Sequence, residues 1–204
     1  MIKNIVFDMG NVLIYFDRKL FLDKAGVTNE EDRKILMREV YLSLEWSRMD
    51  RGSLTDEQAS EIMEKRVPEH LKEKVWELVG QWDRPIFPIK GMAELVRQLK
   101  EAGYGIYLLS NASYHQHDYW TEVPGYEYFD GTMISADVKL VKPQPEIYSL
   151  LCEKFGLIAN ECVFIDDSTP NCEGAFFSGM KTIVFHDDVD ELREKLRELG
   201  ITVK

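Results

Sequence analysis

Four polar clusters carry the residues able to do chemistry. They are Asp8-Met9-Gly10-Asn11 after the run Asn4-Ile5-Val6-Phe7, Ser110-Asn111 after Gly105-Ile106-Tyr107-Leu108-Leu109, Lys142-Pro143, and Asp166-Asp167-Ser168 after Cys162-Val163-Phe164-Ile165. Three of the clusters follow apolar runs of strand length. In open parallel sheets ligands bind at the carboxyl ends of the strands, so the clusters would converge on one sheet edge. Three carboxylates gathered there would repel one another unless a cation neutralised them. A few hard oxygen ligands, with water completing an octahedron, suit Mg²⁺. A carboxylate is also a nucleophile able to form an acyl phosphate. Lys142 would hold that carboxylate ionised and offset charge on a transferring phosphoryl group, while Ser110 and the Asn111 backbone N–H would donate to phosphoryl oxygens. The same residues have plainer uses: Asp8 as a strand end, Ser110-Asn111 as a turn, and Asp166 or Asp167 as a cap for a helix beginning near Ser168.

The elements that must position these groups show as alternation. Thr132-Met133-Ile134 and Thr182-Ile183-Val184-Phe185 join the three runs above as strands, and apolar runs of this kind suit strands buried on both faces. Residues 92–102 place Met92, Leu95, Val96 and Leu99 on one helix face and stop at Gly103. Pro145–Phe155 stops at Gly156 and 189–199 at Gly200 in the same way. Strand and helix in turn predict an α/β fold, a doubly wound and mainly parallel sheet with right-handed crossovers. Over 18–83 no strand interrupts the helical period. Segments 31–45 and 68–82 read as helices, and Thr55 with Gln58 forms a capping box ahead of Ile62 and Met63. The pattern predicts a helical domain over 18–83, inserted in a core made of 1–17 and 84–204.

Composition narrows the partners. The 25 basic and 36 acidic side chains leave a formal charge of −11, with no basic cluster of the kind a nucleic-acid surface needs. No apolar run approaches the roughly 18 residues that span a bilayer, and the opening residues lack a signal-peptide pattern, so a cytoplasmic location is expected. Cys152, Cys162 and Cys172 are ten apart, which fits neither a CxxC motif nor a disulfide framework. His115 and His117 form an HxH pattern without further ligands nearby, and read as the polar start of a helix after Ser113 rather than a zinc site.

Together, Phe7-Asp8-x-Gly10-Asn11-Val12, Leu109-Ser110-Asn111, Lys142-Pro143 and Phe164-Ile165-Asp166-Asp167, followed by Asn171, Ala175 and Gly179-Met180, resemble the four motifs of the haloacid dehalogenase-like hydrolase superfamily. The resemblance runs over essentially the whole chain. It is nearest to a helical-cap branch of sugar-phosphate phosphatases similar to α-D-glucose-1-phosphate phosphatase, on the Asp-x-Gly-Asn-Val opening, a Trp like Trp120 downstream of Ser-Asn, and an Arg-Gly like Arg51-Gly52. It implies a Rossmann-like core and an Mg²⁺-dependent phosphoric monoester hydrolase with Asp8 as nucleophile. Asp8, the Gly10 carbonyl, Asp166 and Asp167 would serve the metal, and Ser110, Asn111 and Lys142 the phosphoryl group. Trp46, Arg48 and Arg51, ahead of the helix capped by Thr55, read either as a solvated turn with a buried indole or as a specificity loop dipping toward the ester, and Trp120, among aromatics that mostly pack, would line the pocket. A small phosphorylated metabolite is the expected partner, and a monomer or weak homodimer the expected state.

One position departs from the family pattern. Most phosphatases of the superfamily place a second Asp two residues after the nucleophile, where it protonates the leaving oxygen; here that position is Gly10. A positioned acid is worth about 10²–10⁴-fold. Asp17, His115, His117 or a residue of the helical insertion would have to replace it, and a glycine at position 10 is expected to hold backbone angles that Asp tolerates poorly. Two other readings remain. A metal-independent 2-haloacid dehalogenase would also lack the second Asp, although Asp166-Asp167 would repel a halocarboxylate. A catalytically impaired protein that binds phosphorylated metabolites is the other.

Overall fold

The computed structural model describes residues 1–203. Five parallel strands, β1 (Asn4–Phe7), β2 (Gly105–Ser110), β3 (Gly131–Ile134), β4 (Cys162–Asp166) and β5 (Lys181–Val184), form one sheet in the order β3-β2-β1-β4-β5. The central strand β1 sits between β2 and β4, with Phe7 opposite both Leu108 and Ile165. The next residue, Asp8, keeps the register by donating its N–H to the Ile165 carbonyl at 2.9 Å. Asp8, Ser110 and Asp166 therefore leave the same sheet edge within one residue of each other.

Alternate residues of the strands enter different cores, as the period of two demands. Ile5, Phe7, Val163 and Ile165 pack with Met92, Leu95, Val96 and Leu99 of α6 (Met92–Glu101) and with Leu192 and Leu196 of α11 (Val189–Glu198). Val6, Cys162 and Phe164 pack on the other face with Ile147, Tyr148 and Leu151 of α9 (Pro145–Phe155) and Ala175 of α10 (Thr169–Phe177). The doubly wound arrangement expected from the alternation is the one observed. All three cysteines are free thiols. Among the described residues no helix is long and apolar enough to cross a membrane.

Between β1 and α6 the chain is helical: α1 (Arg18–Lys24), α2 (Glu30–Leu36), α3 (Leu44–Asp50), α4 (Asp56–Met63) and α5 (Lys72–Gly80) enclose an apolar cluster of their own, from Phe21 and Leu36 to Val75 and Val79. The capping box at Thr55 and Gln58 is formed in both directions. The single helix expected over 31–45 is instead broken. A π-type turn, Met37–Tyr41, follows α2, and Ser43 then leaves the helix to donate to the Val40 carbonyl at 2.7 Å and accept from the Trp46 N–H at 3.2 Å. A serine that bonds backbone locally competes with helix propagation, so α3 restarts there in a new direction. The helix expected over 68–82 is shorter: its first turn, Glu69–Leu71, is 3₁₀ and α5 ends at Gly80.

Candidate active site

Lys142 is the hub of the strand-end edge. It is 4% exposed, and its Nζ lies 2.8 Å from Asp8 Oδ1, 2.7 Å from Asp166 Oδ2 and 3.0 Å from the Leu109 carbonyl. Burial alone would discharge the ammonium, but the two carboxylates outweigh it and hold the group charged above its ordinary range. The Asn111 side chain aligns this lysine. It accepts the Lys142 N–H at 2.8 Å and donates to the Lys142 carbonyl at 3.0 Å, so it fixes the lysine backbone rather than facing the cavity freely.

Asp166 is fully buried and fully used: Oδ1 accepts from the Ser168 N–H at 2.8 Å and both oxygens accept from Asn171 Nδ2 at 3.1 Å. The expected helix cap is not formed by Asp166: the N-cap of α10 is Ser168, without a side-chain cap bond, and Asp166 binds the N–H of that cap residue instead. Asp167 is more open and accepts from Asn11 Nδ2 at 3.1 Å. Asn11 is in the left-handed region at φ 53°, and its Oδ1 takes the Phe16 N–H at 2.9 Å, which ties the loop after β1 to the end of β4. Neither Asn11 nor Asn171 figured as a site residue from sequence, although both stand inside the motifs.

The carboxylates of Asp8, Asp166 and Asp167 each place an oxygen within 4.8 Å of the others. Burial pushes the Asp8 carboxyl up to about 7, Lys142 pulls it down and Asp166 pushes it up again. Burial likewise raises Asp167. Three carboxylates against one ammonium leave an excess of negative charge, the situation a divalent cation resolves. The two backbone bonds that bridge Gly10 and Ile14 run from the Ile14 N–H to Met9 and from the Asn11 N–H to Ile14, so they leave the Gly10 carbonyl out. The three carboxylates present fit Mg²⁺.

A cavity of about 300 Å³ opens over Asp8, Gly10, Ser110 and Asn111, and Ser110, 2% exposed, has no hydrogen-bond partner for its hydroxyl among the described residues. The far wall comes from the helical segment and β2–β3 connection: Trp46, Tyr41 and Trp82 with Asp50, Asp56 and His115. Of the residues expected in a specificity loop, Trp46 lines this cavity. Arg51 does not. It lines a neighbouring cleft with Asp50, Asn111 and Lys142, its guanidinium 3.4 Å from Gln144 Oε1. Trp120 also lies away from the cavity, packed edge-on against Phe129 at 5.2 Å within the sheet core. His115 precedes the short helix α7 (Gln116–Tyr119), consistent with a polar helix start, and binds two carboxylates rather than a metal set: Nε2 is 2.8 Å from Asp83 and Nδ1 3.1 Å from Asp118. Asp50, Asp56 and Arg18 are cavity residues that sequence reading missed.

A carboxylate paired with a lysine, with an unpartnered hydroxyl at the same cavity and carboxylates able to hold a cation, is equipped for in-line attack on phosphorus. The haloacid dehalogenase-like hydrolase family matches residues 2–179. The chain is 25% identical over 185 residues to the D-ribitol-5-phosphate phosphatase of Bacteroides thetaiotaomicron, covering 84% of this chain and 85% of that one. It is 26% identical over 174 residues to the (S)-2-haloacid dehalogenase 4A of Burkholderia cepacia, covering 79% and 72%. Among solved structures, a family enzyme from Bacteroides thetaiotaomicron in complex with magnesium and inorganic phosphate superposes with a TM-score of 0.71 at 26% identity, over 94% of this chain and 99% of that one. Other relatives are longer: the matches cover 13% of the mouse bifunctional epoxide hydrolase 2 and 37% of the drimenol cyclase of Aspergillus calidoustus.

Proposed function

The chain belongs to the haloacid dehalogenase-like hydrolases, and from that premise we propose that it is an Mg²⁺-dependent phosphatase of a small, hydroxyl-rich phosphate ester such as a sugar or polyol monophosphate. In this reading residues 18–83 are the cap over a core of 1–17 and 84–204. Asp8 attacks phosphorus to give an aspartyl phosphate, which water then hydrolyses. Lys142 keeps Asp8 ionised, aligns it and offsets charge on the phosphoryl oxygens, toward which Ser110 and the Asn111 N–H donate. Mg²⁺, held by Asp8, the Gly10 carbonyl, Asp166 and Asp167, would supply charge neutralisation at the transferring group.

One observation carries the reading: the fully formed Lys142 bridge between Asp8 and Asp166, set against a third carboxylate, is a site for an anion bound together with a cation. The cavity wall speaks for the leaving group. Tyr41 Oη, Asp56 Oδ1 and Gln116 Oε1 are buried without partners, and each belongs to a residue lining the cavity. Buried polar atoms are satisfied in the working state, and hydroxyls of a sugar or polyol between aromatic faces would satisfy them. An acidic wall opposes a second anionic group on the substrate, which weighs against a halocarboxylate. Location in the cytoplasm belongs to the same proposal.

The test is a panel of phosphorylated metabolites, glucose 1-phosphate and glucose 6-phosphate included, assayed with Mg²⁺ and again with EDTA, beside 2-chloropropionate. Turnover of sugar or polyol phosphates that EDTA abolishes is expected. Dehalogenation that survives EDTA, with no ester hydrolysis, would replace the proposal.

A further inference from the structure

We propose that Asp50, at the end of α3 in the helical segment, is the acid that protonates the leaving oxygen in place of the missing side chain at Gly10; this rests on the phosphatase reading above. The other candidates are occupied elsewhere. Asp17 Oδ1 caps α1, accepting from the Lys19 and Leu20 N–H groups at 2.8 and 3.3 Å, and the residue does not line the cavity. His117 is exposed and faces Asp137, with Nε2 3.0 Å from its carboxylate. His115 does line the cavity, but each ring nitrogen already faces a carboxylate, so neither N–H is free for a substrate oxygen. Arg18 lines the cavity with a guanidinium, a hydrogen-bond donor rather than a general acid. Asp56 is only partly occupied: its Oδ1 is buried without a partner, but its other oxygen accepts from the Ser113 hydroxyl at 3.1 Å, and that bond and His115 pull the carboxyl toward its ionised form against burial.

Asp50 is differently placed. It lines the cavity with Asp8 and Gly10, and no donor among the described residues engages its carboxyl oxygens. Asp8, Lys142, Arg18 and Asp56 are the charged groups close enough to act on it. Burial and then the Asp56 carboxylate push it up to about 8, against the pull of Arg18 and Lys142, so it carries a proton at neutral pH. Its backbone is clamped to the sheet domain. The Ser135 hydroxyl donates to the Asp50 carbonyl at 2.5 Å and accepts the Ala112 N–H at 2.9 Å. Two residues on, Lys139 donates to the Gly52 carbonyl, and Gly52 at φ +69° lies so close to Ala136 that no side chain fits there. A carboxyl left free on a clamped backbone is pre-organised for transfer.

The chemistry balances with this one residue. As Asp8 Oδ bonds to phosphorus, the ester P–O bond breaks and its electron pair goes to the leaving oxygen. That oxygen takes the Asp50 proton, leaving a neutral alcohol and an Asp50 carboxylate. When water attacks the phosphorus of the aspartyl phosphate, its proton goes to that carboxylate, freeing Asp8 and inorganic phosphate and resetting the acid.

The experiment uses the full chain with Mg²⁺ and esters graded by leaving-group acidity, from p-nitrophenyl phosphate to a primary alkyl phosphate. The wild type is expected to show a shallow dependence of kcat/KM on the leaving group. Asp50→Asn should lower kcat/KM for the alkyl ester by about 10²–10⁴-fold and that for p-nitrophenyl phosphate by less than about tenfold, because a nitrophenolate leaves without a proton. Asp56→Asn, the control, should lower both esters alike. An Asp50→Asn variant that keeps alkyl activity within about threefold, or loses both esters equally, overturns the assignment while leaving the phosphatase reading standing. No ester turnover by the wild type overturns both.

Discussion

At the scale of residues, position 10 carries the sharpest consequence. The expectation that Gly10 holds angles forbidding to Asp is not met. Its φ lies outside the left-handed region, and a Cβ there would meet only the Phe16 Cβ at 3.6 Å, an ordinary contact. The Gly10→Asp chain is therefore expected to fold. In the Asp50→Asn background it should restore alkyl ester hydrolysis by at least about tenfold, since a positioned acid is worth 10²–10⁴-fold and its new geometry will be imperfect. Rescue is read from kcat/KM on the alkyl ester; a double variant no better than Asp50→Asn would mean that the carboxyl cannot reach the leaving oxygen from β1. The polar residues at the strand ends were legible in the sequence because a strand end needs only a local pattern, an apolar run and the polar residue after it. Asp50 was not legible, since nothing in Met49-Asp50-Arg51 distinguishes a carboxyl over a cavity from one in solvent. Arg51 shows the converse. The Arg-Gly pair drew attention to the right loop, where the Arg51 guanidinium reaches Gln144 and the Gly52 carbonyl accepts from Lys139, yet Arg51 does not line the main cavity.

Among the elements, the contact of α3 with α8 (Ser135–Val138) and the His115–Asp83 pair decide how the helical segment sits. The Asp83 side chain is wholly buried, which pushes its carboxyl up, but the bond and charge of His115, with a backbone bond and Arg84, together hold it below the ordinary range. His115 is in turn raised above 6.5, first by its bond to Asp83. A histidine raised in the folded state contributes stability that is complete below its unfolded value and fades as pH rises through the folded one. A depressed aspartate contributes above its unfolded value and loses it as pH falls through its lowered folded one. The pair is thus fully effective between about pH 4 and 6.5. His115→Ala should destabilise the protein by about 2 kcal/mol at pH 6, because it strands a buried carboxylate. The gap should narrow at pH 9. Denaturant titrations of both proteins at the two pH values measure it, and an equal gap would show that the charged form contributes nothing. Helix existence was readable from period and capping, as at Thr55. The π-type turn at Met37–Tyr41 was not, because Ser43 ends a helix only once its hydroxyl has found the Val40 carbonyl, and that choice brings Tyr41 to the cavity.

For the molecule as a whole, a parallel sheet collects distant residues at one edge while a helical segment closes over it, so half of the site is written in strand ends and half in tertiary contact. The first half was legible together with the fold. The second was not: Trp120 reads as a pocket aromatic until the sheet core claims it, and the wall that replaces it, Trp46, Tyr41 and Trp82, comes from α3, the π-type turn before it and the turn after α5. The net charge of −11 and the carboxylate-rich cavity suit a cation and a neutral leaving group together. All of this depends on Asp8 acting as the nucleophile. The direct measurement is turnover of p-nitrophenyl phosphate with Mg²⁺ by the wild type and by Asp8→Asn, since this ester needs no acid and isolates the attack on phosphorus. A neutral amide cannot make that attack, and a loss of at least about 10³-fold with the fold intact is predicted; a variant keeping a tenth of wild-type activity would contradict the account.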